Sequence, residues 1–262
     1  MTWLNRIIPD DRIIRLQLLI LIAVMLVFSL TLGQRFFSLG NFQSMSSQLP
    51  ILGMLALGMG LTMLTGGINL SIIAGANACS LVMAAIIVSH PGQPAFLLLA
   101  LVAGLLVAVA IGTLNGVLIS VIGVSPILAT LGTMTLITGL NILLSNGDVI
   151  SGFPPVIQYI GSGDIAGIPV AMILFLLVAA GLWVLLEHTT LGRSIYLVGS
   201  NEQATRFSGV NTHRVQIAVY ILSALLGWGG GHFDDGKIQL CQSRLWRILS
   251  VGHHFGLGTG RD

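Results

Sequence analysis

From Phe36 to Gly147 the chain carries no Asp, Glu, Lys or Arg. That gap constrains the fold more than any single motif. A soluble domain carries about 25% charged residues, and a water-facing surface cannot be built over so long a stretch without them. Across all 262 residues the chain is 55% hydrophobic and only 8% charged. A lipid solvent removes the conflict, because the outside may then be apolar too. Each helical crossing takes roughly 20 apolar residues, and in lipid the backbone must satisfy its own hydrogen bonds. The expected fold class is an all-α polytopic membrane protein. A net charge of +2 gives no basis for binding nucleic acid, and Cys79 and Cys241 imply no disulfide framework.

Apolar runs separated by polar or Gly- and Pro-rich text set out about seven spans. The first, Leu16 to Leu32, follows a basic cluster of Arg6, Arg12 and Arg15. It is long enough to cross and lacks a small-residue cleavage signal, so it reads as a retained span. "GQRFFSLGNFQSMSSQLP" follows, with Phe36 and Phe37 suited to a membrane interface. Pro50 opens a second run, which is interrupted at "TGGINLS". The third to sixth runs cover Ile72 to Val88, Pro94 to Ile119, Pro126 to Leu144 and Ile168 to Leu186, and a seventh begins near Val215. The positive-inside rule puts the N-terminus in the cytoplasm. Six crossings then leave Asp148 and Asp164 outside and Arg193, Arg206 and Arg214 inside, where the same rule wants them.

Two regions stand out as candidate sites. In "GMGLTMLTGGINLSIIAGANA", Thr65, Asn69 and Ser71 sit in apolar sequence, and Gly66-Gly67 interrupts the helical run. Non-helical backbone at membrane depth is tolerated where protein buries it or where it lines a cavity. One reading is a broken helix beside a solute path; the other is a short turn at the interface, with Asn69 capping the next helix. Downstream, Asn115, Thr130, Thr133, Thr135, Thr138 and Asn141 add uncharged hydroxyl and amide groups. These suit a neutral, hydroxyl-rich solute or bonds between helices. Proton or sodium coupling calls for intramembrane carboxylates or histidines, and none lies between Arg35 and Asp148 except His90, in a loop. Gly112 and Gly116 have the spacing of close helix packing.

The second region is "TTLGRSIYLVGSNEQATRFSGVNTHR". "SNEQATRFSGV" reads as a short capped helix: Ser200 or Asn201 as cap, Glu202 and Gln203 in the first turn, Gly209 as stop. It is too short and too polar to cross. It suits docking on a soluble partner, or is a solvated loop between helices. The chain carries no phosphate-binding loop, no HExxH, no CxxC pair and no GxSxG. His232, His253 and His254 lack supporting ligands, so no metal site, cofactor or catalytic residue is expected.

These motifs together resemble the permease subunit of bacterial ATP-binding-cassette importers for ribose, xylose, galactose and related simple sugars. The resemblance rests on "LTGGINLS", on "NGVLISVIGVSPILATLGTMTLITGL" and on "TTLGRSIYLVGSNEQATRFSGV", in order, over about Phe36 to Leu226. It implies an inner-membrane subunit that performs no chemistry. Such a subunit works with a cytoplasmic ATPase, an extracytoplasmic sugar-binding protein and a second permease copy. It also implies a coupling loop over 189–213, onto which Gly192, Arg193, Tyr196, Gly199, Asn201, Ala204 and Gly209 fall, with Glu202 and Arg206 between them. The candidate pathway set is Thr65, Gly66, Gly67, Asn69, Ser71, Asn115, Thr130, Thr133 and Asn141. Asn69 departs from the resemblance, which implies Asp there.

After "YILSALLGWGGG" the charge density rises and the apolar periodicity disappears. Codons for this segment, shifted by one base, can encode apolar text resembling the rest of such a permease. The expected division is therefore a transmembrane permease domain over 1–228 and a frameshifted, non-native tail over 229–262. The alternative is a non-functional truncated fragment. An intramembrane enzyme is disfavoured for want of a catalytic constellation.

Overall fold

The computed structural model describes residues 12–90, 93–145, 163–165 and 168–231. They are almost wholly helical. The helices are α1 (Arg12–Leu32), α2 (Leu39–Met63), α3 (Ile72–Ser89), α4 (Pro94–Ser120), α5 (Pro126–Ser145), α6 (Val170–His188), α7 (Thr190–Ser200), α8 (Glu202–Phe207) and α9 (Thr212–Gly231). A 3-10 turn spans Gly33–Arg35, and Asp164–Ile165 (β1) pairs antiparallel with Ile168–Pro169 (β2). Among the described residues six helices, α1 to α6, are long and apolar enough to cross a membrane. The chain is an all-α polytopic membrane protein.

Two compact units divide at Ser46 and Ser47. In the first, α1 is apolar on every side and exposed, with Leu30 82% accessible. The following turn is ordered by Phe36, whose ring stacks on Phe28 at 6.2 Å and meets Phe37 edge-on at 5.1 Å. The Asn41 amide donates to the Phe36 carbonyl at 2.8 Å.

α2 begins at Leu39, eleven positions before the proline expected to open it, so Pro50 is inside the helix and buried. A proline gives up its own amide bond and crowds the carbonyl four residues back, here that of Ser46, which is where the two units part. By contrast, Pro94 and Pro126 stand at the first positions of α4 and α5, where no intrahelical donor is needed.

In the second unit α3, α4 and α9 form the packed centre. Gly112 and Gly116 of α4 face the backbone of α9: a Cβ on Gly112 would lie 2.6 Å from the Ile221 Cα, and one on Gly116 would lie 2.7 Å from the Ile217 Cα. The glycine spacing therefore serves close packing, as small residues do between membrane helices. α9 occupies the seventh apolar run but is not among the six most apolar helices. It is packed against protein along nearly its whole length, so it can carry Ser223 and a glycine-rich end. That end is fitted to its neighbours: Gly229 lies against Met54, and Gly231 against Ser80 and the Ala76 carbonyl. Residues 232–262, which hold nearly all of the tail set apart on sequence, lie outside the described residues, as do 146–162 and the N-terminal arginine Arg6.

Candidate functional site: a helix break and a polar loop

α2 stops at Met63 and α3 starts at Ile72, each long and apolar enough to cross by itself, so Gly66-Gly67 stands in the turn between two spans. Gly66 has φ +78, a conformation that side chains resist. The Gly67 amide donates back to the Thr62 carbonyl at 3.0 Å, and a Cβ on Gly67 would collide with the Tyr220 hydroxyl. Asn69 and Ser71 are buried. The Asn69 Oδ1 accepts from the Ser71 amide at 3.1 Å and from the Ser71 hydroxyl at 2.8 Å. Its Nδ2 donates to the Ser223 Oγ of α9 at 3.0 Å. From α4, the Asn115 Nδ2 donates to the Ser71 Oγ at 2.8 Å. From α5, the Thr130 hydroxyl lies 3.0 Å from the Ile68 carbonyl and 2.8 Å from that of Pro126, sharing one proton between them.

A clasp of neutral groups from three helices thus holds an irregular segment. Buried polar groups are inexpensive only when paired, and the clasp pairs most of them. Two remain over: the Asn115 Oδ1 and the Tyr220 hydroxyl are buried with no hydrogen-bond partner among the described residues.

Of the pathway residues expected from sequence, the fold brings Gly67, Asn69, Ser71, Asn115 and Thr130 together. Thr65 bonds the Thr62 carbonyl of its own turn, at 2.9 Å. Thr133 bonds the Ala129 carbonyl of its own helix, at 2.9 Å. Asn141 reaches instead to the Ala74 carbonyl on α3, at 3.1 Å. Tyr220 and Ser223 were not singled out by sequence reasoning. The available signal was two hydroxyls, one turn apart, in the seventh run.

The polar segment folds as two helices. Thr189 caps α7, its Oγ1 accepting from the Gly192 amide at 3.1 Å. Asn201, not Ser200, caps α8, accepting from the Ala204 amide at 2.9 Å. Glu202 in the first turn and Arg206 in the last both suit the helix dipole, and Gly209 ends the segment at φ +85. The Thr205 hydroxyl, another group missed on sequence, sits 2.8 Å from the carbonyls of both Leu197 and Asn201 and so joins the two helices.

α7 is amphipathic. Ile195 and Val198 pack with Leu61, Val215 and Val219, while Gly192 presses against the Leu185 and Leu186 carbonyls at the end of α6. Arg193, Tyr196, Glu202, Ala204, Arg206 and Phe207 are exposed, Phe207 to 92%. Close by, the His213 Nδ1–H donates to the Ser120 carbonyl, tying the start of α9 to the end of α4. Among the described residues no group of three His, Cys, Asp or Glu is placed to hold a metal.

A buried polar turn between two helices each long enough to span, a packed helical bundle and an amphipathic helix left partly bare suit a membrane permease component. The family described as "Branched-chain amino acid transport system / permease component" matches residues 41–233, and the chain belongs to it. It is a multi-pass inner-membrane permease component, not an enzyme. The ribose import permease protein of Escherichia coli is 33% identical over 233 residues, covering 86% of this chain and 70% of that one. Its namesake from Bacillus subtilis is 36% identical over 204 residues, covering 77% and 62%. The autoinducer 2 import system permease protein of Yersinia pseudotuberculosis is 32% identical over 209 residues, covering 79% and 58%. No solved structure matches the chain to a comparable standard.

Proposed function

We propose that the chain is the membrane-spanning permease of an ATP-driven importer for a neutral, hydroxyl-rich solute, a monosaccharide or a compound of similar polarity. The observation that carries this reading is the clasp at the helix break, made of amides and hydroxyls in a stretch, Phe36 to Gly147, with no Asp, Glu, Lys or Arg. The relatives are named for ribose, autoinducer 2 and, in Rhizobium meliloti, fructose import, which supports a solute of this kind. Solute reaches the bundle from an extracytoplasmic binding protein, and a second permease copy completes the path. The bare face of α7 and α8, with Tyr196, Arg193, Arg206 and Phe207, receives the cytoplasmic ATPase. This orientation puts the N-terminus in the cytoplasm, which the arginine distribution supports.

Uptake of labelled ribose and fructose into proteoliposomes holding the chain, its ATPase and its binding protein tests the reading. ATP-dependent accumulation of a neutral sugar is expected. Failure with every neutral sugar, or preference for a charged solute, overturns it.

The truncated-fragment alternative is tested by the same assay. The tail from about Gly229 is proposed to arise from a one-base shift. The fitted glycines of α9 and the family match to residue 233 favour a shift just beyond Gly231. Resequencing that finds no base difference there refutes it.

A further inference from the structure

The helix break and the amphipathic helix touch at one place. Gly199 is the penultimate residue of α7, and a Cβ on it would run into the carbonyl oxygen of Leu64, with the Leu64 carbonyl carbon at 3.0 Å and the Thr65 Cα at 3.6 Å. The contact is backbone on backbone, so neither side can yield by turning a side chain. On the same flank, Ile195 and Val198 pack with Leu61, and Leu64 packs against that cluster. Leu64 begins the irregular segment that continues through Gly67, under the Tyr220 hydroxyl, to Asn69 and Ser71, held by Ser223 and Asn115. A displacement of α7 toward the bundle therefore cannot leave Leu64 in place.

The far side of the segment has a matching property. The Tyr220 hydroxyl lies against its middle, at Gly67, and the Asn115 amide against its end, at Ser71; the hydroxyl and the Asn115 Oδ1 are both buried and both without a partner among the described residues. Buried polar groups left unpaired destabilise the arrangement they belong to. Both groups keep unused hydrogen-bonding capacity beside the segment. The clasp around it is made of side-chain bonds that can be exchanged, whereas the α4–α9 seam beside it is closed by glycines against backbone.

We propose that Leu64–Ser71 is the element that α7 moves, with Gly199 as the positioning residue that sets its depth. When the ATPase shifts α7, the break shifts with it, and the Asn115 Oδ1 and the Tyr220 hydroxyl gain partners. The proposal rests on the docking of the ATPase at α7 and α8 stated above.

Hydrogen exchange on the full chain in nanodiscs, with and without its ATPase subunit and ATP, separates the two claims. The expected result is a change in exchange of at least about threefold both in the α7–α8 peptides and in peptides covering Leu64–Ser71. Protection of α7–α8 with an unchanged break overturns the proposal and leaves the docking reading intact. No protection of α7–α8 overturns both. In Gly199→Ala, which fills the contact, the ATPase is expected to bind while the response of the break to ATP is lost or altered. A response identical to wild type overturns the role of Gly199. Should that variant fail to assemble, the wild-type comparison still decides whether docking reaches the break.

Discussion

Replacing Gly67 by alanine tests the geometry of the break most directly, because a single oxygen atom stands in the way. A Cβ at position 67 would collide with the Tyr220 hydroxyl, whereas the ring carbon that carries the hydroxyl lies 3.4 Å off and the Thr62 carbonyl 3.5 Å off, both within ordinary contact. Gly67 is not among the glycines with positive φ, so alanine meets a steric obstacle there and not a left-handed backbone. Overpacking of this kind costs about 1–3 kcal/mol. Tyr220→Phe removes the obstacle. It breaks no hydrogen bond among the described residues, since the hydroxyl is buried and unpaired, and losing an unsatisfied buried group is neutral or stabilising, by up to about 1–3 kcal/mol.

Gly67→Ala alone should therefore lower stability, Tyr220→Phe alone should leave it unchanged or raise it, and the double variant should return close to the single Phe variant. The coupling energy between the two sites should be about 1–3 kcal/mol in the compensating direction. Thermal unfolding in detergent, followed by loss of the monodisperse peak on size exclusion, measures all four proteins under one condition. A double variant as unstable as Gly67→Ala would refute the argument. So would a Tyr220→Phe variant that is itself destabilised, because the hydroxyl would then have a partner.

Other outcomes follow from neighbouring features. Asn69→Leu removes the acceptor of two bonds to Ser71 and the donor to Ser223, and should cost about 2–4 kcal/mol, taking roughly 1 kcal/mol per bond plus the groups left unpaired; the same detergent unfolding assay reads it. Asn201→Ala removes the cap of α8 and should cost about 1 kcal/mol, seen as faster amide exchange over 202–207 with the bundle unchanged. Phe207→Ser should leave stability within about 0.5 kcal/mol of wild type, as exposed substitutions do, yet weaken co-purification of the ATPase; unchanged co-purification would remove Phe207 from the docking face. Gly112→Leu should prevent α4 and α9 from closing and abolish recovery of folded protein, whereas Gly132→Leu, with open space around it, should not.

The apolar runs made most of the fold legible because each span had a local cause. α4 and α5 start at their prolines, and the Asn201–Gly209 helix announced itself by cap and stop. Pro50 misled for a physical reason: a proline reads locally as a helix start, and only the packing around it shows a helix running through. The site was less legible. Asn69, Ser71 and Asn115 stand out as amides and hydroxyls in apolar text, but so does Thr133, which spends its hydroxyl on its own helix. Nothing in the spacing separates the two cases, because the difference is which face of α5 meets the break. Tyr220 and Ser223 were hidden more deeply. Their contacts to Gly67 and Asn69 join residues some 150 positions apart (Asn69 to Ser223 spans 154), and no periodicity records that pairing.

The groups that clasp the break are neutral, and this has an electrical consequence. Moving one elementary charge through the membrane field changes the free energy by about 2.3 kcal/mol for each 100 mV. Amides and hydroxyls carry no such charge, so rearranging Asn69, Ser71, Asn115 and Ser223 displaces none across the bilayer. The rearrangement proposed for the clasp would therefore carry no formal charge of its own through the membrane field. A polar seam built from Asp or Lys at the same depth would tie each movement to the membrane potential.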